Sequence, residues 1–236
     1  MTDQPCWVSE QGVLAFVEGD LEPEAELAVA RHLAECEGCR EQAAEFRALE
    51  GALGGEAAAG GSVRWHAFGT PFGRMYVAAG DAGLVRLSWS QPGDAAWTAG
   101  LEEAFPGRPV VRDPDAPVLR EAERQLHEYF AGERDAFDLP IDLDALPRFT
   151  RRVLAALLEE VGFGQVVAYS DLARRIGRPR AARAVGNAVG RNPVAIVVPC
   201  HRVVRSDGSL GGYGGGVEFK ERLLTIEGRG DLLKAG

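Results

Sequence analysis

The stretch Asn192-Pro193-Val194-Ala195-Ile196-Val197-Val198-Pro199-Cys200-His201-Arg202-Val203-Val204 decides how this chain is read. Its apolar run, residues 194–198, is expected to be a buried strand that ends on a thiol beside an imidazole. A thiolate is a strong nucleophile, but free cysteine is only a few per cent ionised at neutral pH. An adjacent base activates it, and His201 is in reach along the chain. A carboxylate should orient the imidazole, and Glu227, in the helix after the Gly-rich stretch, is the candidate. Cys-His adjacency alone is weak evidence and favours a buried structural cysteine, so the surroundings decide.

Working outward, residues 149–161 have helical periodicity. Ser170-Asp171 then reads as the cap of a short helix carrying Leu172, Ala173 and Ile176. Gly177 ends that helix, and Pro179 suits the first turn of the next, which runs through Arg183 to about residue 189. Two short helices around a glycine-containing turn are the pattern of a helix-turn-helix. The pair sits in the basic part of the chain. Residues 143–236 carry 15 Lys and Arg against 9 Asp and Glu, whereas residues 1–142 carry 11 against 26. The overall charge of -9 therefore conceals a basic segment, as expected of a nucleic-acid-binding part joined to an acidic one.

Hydrophobic residues make up 46% and charged residues 26%, which fits a globular chain and argues against disorder. The longest unbroken apolar run, residues 153–158, is too short to cross a membrane. The first residues lack the basic and apolar regions of a secretory signal. Four cysteines without such a signal imply a reducing, cytoplasmic setting rather than a disulfide framework. Upstream of residue 143, a turn at 69–73, strands at 75–78 and 84–89 around a hairpin turn at 80–83, and a helix over 118–130 are expected. On that helix Leu119, Ala122, Leu126 and Phe130 share a face. Residues 51–62 read as a flexible Gly/Ala linker.

Residues 1–50 read as a small helical module. Val13, Leu14, Phe16 and Val17 precede a turn at 19–23, and a helix from Glu24 to about Glu35 carries Leu27, Ala30 and Leu33. Within it His32, Cys36 and Cys39, with Cys6 upstream, supply one imidazole and three thiolates. Positions 32 and 36 lie one helical turn apart, and a C-x2-C pair completes the tetrahedron that zinc prefers. Three cysteines then serve metal and one serves chemistry. The competing reading is a C-x2-C redox pair with an unrelated histidine. With 3 basic and 12 acidic residues, this module is not expected to touch DNA.

The central stretch, followed by Gly212-Tyr213-Gly214-Gly215-Gly216, resembles the O6-alkylguanine-DNA alkyltransferases, also called methylated-DNA–protein-cysteine methyltransferases. The match extends upstream through Phe163-Gly164-Gln165-Val166-Val167-Ala168-Tyr169 and Ala181-Ala182-Arg183-Ala184-Val185-Gly186. Downstream it takes in Lys220-Glu221-Arg222-Leu223-Leu224 and Glu227-Gly228. The resemblance implies an α+β multidomain fold. A helical zinc module (1–50) and linker (51–62) precede an RNase H-like α/β domain (63–142). A winged helix-turn-helix domain (143–236) then carries the DNA contacts and the active site. It implies a monomer that meets double-stranded DNA and no membrane. The activity implied is irreversible transfer of the alkyl group of O6-alkylguanine, and of O4-alkylthymine, to Cys200, once per molecule and without a cofactor.

The resemblance also implies roles. Cys200 attacks the alkyl carbon while His201 takes the thiol proton through a water. Arg183 holds the space of a nucleotide extruded from the duplex, because the O6 substituent cannot be reached inside the base stack. Ala181, Ala182 and Gly186 let the helix approach the minor groove, where sequence readout is poor and any sequence can be scanned. Tyr169 sits by the flipped nucleotide and helps protonate the leaving guanine, and Asn192 is a hinge. Pro199, Val203, Ser206, Tyr213, Gly214 and Lys220 border the pocket, and Arg202 is structural. Leu154 and Gly214 depart from residues common in the family, tryptophan and serine, and Gly214 bears on which alkyl groups fit. Members that only bind lesions lack the cysteine, which is present here. The first fifty residues resemble zinc-binding anti-sigma-factor domains of bacteria. They imply Zn2+ as a structural cofactor, and an alternative function as a regulator gripping a sigma factor or other protein.

Overall fold

In the computed structural model, residues 7–17, 21, 23–53, 61–89 and 93–234 are described. The N-terminal module comprises α1 (Glu10–Val17), α2 (Pro23–Glu35) and α3 (Glu37–Leu53). Val29 and Leu33 on α2, and Cys39 and Ala43 on α3, are pairs four residues apart and so line one face of each helix. With Val8 and Val13 they form a small separate core. The third helix is the departure from the sequence reading. The chain breaks only at Cys36, then continues helical through Leu53 and takes in the first residues of the expected linker. A single glycine costs a helix only about 1 kcal/mol relative to alanine, which this extension can bear. The rest of that linker up to residue 60 lies outside the described residues.

The second region is a four-stranded sheet in the order β3-β2-β1-β4, from β1 (Val63–Thr70), β2 (Gly73–Ala79), β3 (Leu84–Ser88) and β4 (Val110–Arg112). The first three strands run antiparallel, and β4 lies parallel to β1 with Val63 opposite Val110. Alternation along β2 serves two layers. Tyr76 and Ala78 face Trp97 and Leu101 of α4 (Asp94–Ala104), while Met75, Val77 and Ala79 face Leu119, Ala122, Leu126 and Tyr129 of α5 (Pro117–Ala131).

The C-terminal region contains α6 (Arg148–Glu160), β5 (Val167–Ala168), α7 (Tyr169–Arg175), α8 (Ala182–Gly190), β6 (Val203–Val204) and α9 (Val217–Ile226). It shares one apolar core with the α5 face of the sheet. The open edge of β3 receives it directly. Leu84 N–H donates to Pro140 O at 2.8 Å and Leu87 N–H to Pro193 O at 2.8 Å. The first bond pairs β3 with the chain that leads into the C-terminal region, and the second moors the segment before Cys200 to the sheet.

Residues 194–198 are not the expected strand. They close into a turn in which Val198 N–H donates to Val194 O at 2.9 Å and Ile196 adopts a left-handed φ of 78°. Asn192 holds both ends. Its Nδ2 donates to Val198 O at 2.9 Å, and its Oδ1 accepts from Val194 N–H at 3.0 Å. Apolarity reported burial correctly, but the side-chain clamp replaces a ladder. Two smaller corrections concern the helix pair. Helix α7 starts at Tyr169, with Ala168 as its uncapped N-cap, so Ser170 and Asp171 lie inside it. Gly177, at φ 74°, ends the pair's first helix, and Pro179 lies in the loop before α8 rather than in its first turn. Arg178 N–H reaching back to Ala173 O at 2.8 Å delays the second helix.

Candidate functional site

Cys200 opens a single 3-10 turn, Cys200–Arg202, whose three side chains are all buried. Beneath it lies Glu227, just past α9 and only 3% exposed. His201 Nε2 lies 2.9 Å from Glu227 Oε1. Arg202 donates Nη2 to Oε1 at 2.9 Å and Nε to Oε2 at 3.0 Å, and its Nη1 reaches Val161 O at 2.6 Å. Gly164 N–H adds a bond to Oε2 at 3.3 Å, and the Tyr129 hydroxyl donates to Oε1 at 2.8 Å. Burial alone would raise the Glu227 carboxyl, but the bonds from His201 and Arg202 outweigh it and hold the group at about 2. Glu227 is therefore an anion, and its charge is shared with Arg202.

Burial holds His201 below its usual range, opposed by Glu227 and aided by the charges of Arg202 and Lys220. The imidazole is neutral at physiological pH. Because Nε2 faces a carboxylate it carries the proton, which leaves Nδ1 as the basic nitrogen. Nδ1 is buried and has no hydrogen-bond partner among the described residues. The Cys200 thiol is free and points at the Tyr213 hydroxyl at 3.9 Å. Burial raises its pKa, against hydrogen bonds from Asn192 and Tyr213 and the charge of Lys220. A buried thiol with a neutral imidazole next to it needs the proton moved as the sulfur attacks.

Lys220 is 1% exposed, and its ammonium donates to Val203 O at 2.5 Å and to Leu210 O. Burial brings its pKa down to about 8, so it remains mostly charged near neutrality. It ties β6 to the loop that carries the exposed Ser206. Pro199 and Val203 are buried beside the thiol's turn, and Gly214 is exposed beyond Tyr213. Behind Tyr213 stand two residues that sequence reasoning did not single out. Trp89 stacks on Phe219 with centroids 4.1 Å apart and planes 5° apart, and Tyr213 lies nearly parallel to both. A Cβ on Gly215 would fall 2.1 Å from the Trp89 ring, so only glycine fits under this stack.

The parallel pairing of β5 with β6 sets Val167 against Val203 and Ala168 against Val204. Tyr169 therefore starts α7 close to the Cys200 turn, half-buried, with burial and the nearby thiol raising its pKa. Its ring packs near Gly186 of α8 and Gly211. Helix α8 buries Val185, Ala188 and Val189, which leaves Arg183 exposed. Ala182 and Gly186 are partly exposed, whereas Ala181 is buried at the N-cap and packs inward. Tyr129 was also missed. The sequence periodicity pointed to Phe130, but Tyr129 follows Leu126 by three residues and is the fully buried one.

In the N-terminal module His32 closes α2, Cys36 occupies the break and Cys39 lies in the first turn of α3. Their ligand atoms all lie within 4.8 Å of one another. The Trp7 ring meets His32 edge-on at 5.2 Å. One nitrogen and two sulfur donors at this separation suit a tetrahedral zinc ion. Cys6 lies outside the described residues.

Comparison with known proteins adds the family. Residues 63–143 match the model of the 6-O-methylguanine DNA methyltransferase ribonuclease-like domain, and residues 148–229 that of its DNA-binding domain. The methylated-DNA–protein-cysteine methyltransferase of Methanosarcina acetivorans is 37% identical over 68% of this chain and 96% of its own length. This chain belongs to the methylated-DNA–protein-cysteine methyltransferase family. The constitutive methyltransferase of Bacillus subtilis is 39% identical over 67% of the chain and 91% of its own length. Among solved methyltransferases, Mycobacterium tuberculosis OGT in complex with DNA aligns with a TM-score of 0.60 at 38% identity, covering 70% of this chain and 93% of that one. The Pyrococcus kodakaraensis O6-methylguanine-DNA methyltransferase aligns with a TM-score of 0.52 at 29% identity, covering 70% and 99%. Outside the methyltransferase part, residues 13–40 match the model of a zinc-finger family. No described helix is long and apolar enough to cross a membrane.

Proposed function

We propose that this chain repairs DNA by moving the alkyl group of O6-alkylguanine onto Cys200 and is consumed in doing so. The observation that carries the reading is the free, buried Cys200 thiol beside His201, whose Nε2 is held by Glu227 and whose Nδ1 is left basic. In the transfer, the Sγ–C bond forms as the C–O6 bond breaks, and the electron pair leaves with guanine. The thiol proton passes through a water to His201 Nδ1, and Tyr169 supplies a proton to the departing base. The product thioether has no leaving group that water or a thiol displaces, so each molecule acts once. Relatives over residues 63–229 carry the name of this activity, which favours repair over the regulatory alternative.

DNA would be met by α7 and α8 acting as a helix-turn-helix. The partly exposed Ala182 and Gly186 allow close approach to the minor groove, and the exposed Arg183 fills the gap left by the flipped nucleotide. Tyr213, Gly214 and the loop around Ser206 would wall the base, with Lys220 bracing that loop and Asn192 joining α8 to the Cys200 turn. His32, Cys36 and Cys39, with Cys6, would hold a structural zinc ion that supplies folding free energy to the module. The compartment is that of the DNA, the cytoplasm. The test is mass spectrometry of the chain after mixing with duplex DNA containing O6-methylguanine. The peptide bearing Cys200 should exchange one hydrogen for a methyl group, in proportion to lesion. An unmodified Cys200 with the lesion intact would overturn the reading.

A further inference from the structure

The ribonuclease-like region has no assigned part in the chemistry, yet it places one polar atom at the centre of the site. We propose that Tyr129, on α5, is a positioning residue for alkyl transfer that tunes the basicity of His201 through Glu227. This rests on the reading of Cys200 as acceptor and His201 as its base.

Tyr129 is fully buried, and its ring is wedged edge-on against Phe130 and Phe163 and tilted against Phe137. Such packing leaves the hydroxyl one direction to point. It donates to Glu227 Oε1 at 2.8 Å, the same oxygen that His201 Nε2 meets at 2.9 Å, and it stands 3.5 Å from that nitrogen. A structural tyrosine needs only a partner for its hydroxyl. This one shares the acceptor atom that governs the imidazole, across 98 residues of sequence.

The consequence follows from charge. A carboxylate attracts the proton of an imidazolium, so Glu227 raises the proton affinity of His201, and every other donor to Oε1 weakens that pull. The groups that face His201 are Glu227 behind α9, Arg202 in its own turn, Lys220 on α9, Cys200 beside it and Tyr129 from α5. Arg202 and Lys220 are cations that His201 meets as charges. Tyr129 is a neutral donor to the oxygen that His201 shares, so its removal changes the field at His201 without changing net charge. With the hydroxyl gone, Glu227 would hold an imidazolium more tightly, and His201 would remain protonated to higher pH. A protonated His201 cannot accept the thiol proton.

The experiment compares the full chain with Tyr129→Phe. The first readout is the pH dependence of the second-order rate of methyl transfer from duplex DNA. The second is the titration of the His201 imidazole by NMR, which does not depend on any transfer. Tyr129→Phe should move the acid limb up by about half to one pH unit. On that limb transfer then falls roughly three- to tenfold, while rates above it approach wild type. The His201 titration should move up by the same amount. Should the variant fail to fold, 3,5-difluorotyrosine at position 129 keeps the shape and makes a stronger donor, and it should move both curves down. A lowered melting temperature with an unmoved His201 titration would overturn the proposal, leaving Tyr129 a packing residue. Unmethylated Cys200 in the wild-type arm would instead sink the alkyl-acceptor reading, and the NMR arm would still decide on Tyr129.

Discussion

Two cysteine–histidine constellations occupy opposite ends of this chain and put the same side chains to different ends. At residue 200 the cysteine is sequestered from solvent, and its histidine is held from behind by a carboxylate that is in turn shared with an arginine. At residues 32, 36 and 39 the donor atoms instead converge on one another, and two of the three residues are partly exposed. Sulfur and nitrogen aimed at a common point make a metal site. A buried sulfur aimed at a tyrosine hydroxyl, next to an imidazole held by a carboxylate, is instead arranged as a proposed nucleophile and its base. The surroundings differ as much as the geometry. The Cys200 turn stands on a large core shared by two regions, whereas the candidate metal site closes a module with a handful of core residues.

The sharpest way to break this contrast is to exchange the roles. Cys200→Ala should abolish methyl transfer, read by mass spectrometry, while affinity for duplex DNA changes little, because the helix proposed to meet DNA, α8, is separate from the thiol's turn. Transfer persisting in that variant would mean that a thiol of the other constellation is the acceptor. Next in size is loss of metal. Zinc held by thiolates contributes on the order of 10 kcal/mol to a small domain, and so few residues bury too little core to fold without it. A chelator, or Cys36→Ser with Cys39→Ser, should therefore erase the helical circular dichroism of the module and leave transfer within a few fold of wild type. Loss of transfer on chelation would show that the two constellations work as one unit.

A smaller effect concerns the carboxylate behind His201. The Glu227 carboxyl is held at about 2, below its ordinary value of 4.5. Its contribution to stability is thus fully present above that ordinary value and is lost as pH falls towards 2. Glu227→Gln leaves Arg202 buried without its anion and should cost about 3–5 kcal/mol at neutral pH. In denaturant titrations the variant should also lose this part of the acid dependence. An unchanged acid slope would mean that the ion pair does not hold the turn. The smallest expected effect separates the basic end from the acidic one. Arg183→Ala should slow repair in duplex DNA about tenfold while reaction with the free base O6-benzylguanine stays near wild type, since only the duplex requires extrusion. Equal losses on both substrates would remove Arg183 from the flipping step.

Much of this arrangement is legible in sequence because its parts are local. The Cys200-His201 adjacency, the spacing of His32, Cys36 and Cys39, and the two short helices before the thiol are set by neighbours within a turn or two. There the backbone period alone says which side chains meet. The order of regions and the charge difference between the two ends are equally sequence properties. Other features depended on segments meeting in space. Apolar residues 194–198 announced burial, but whether they paired as a strand or folded into a turn depended on Asn192 bonding across both ends. The Trp89 stack behind Tyr213 joins the chain just past β3 to α9, and Tyr129 reaches Glu227 from a different region. A side chain's spacing along its own helix says which face it shares, not what stands opposite. That is decided by how the sheet, its helices and the C-terminal region pack into one core.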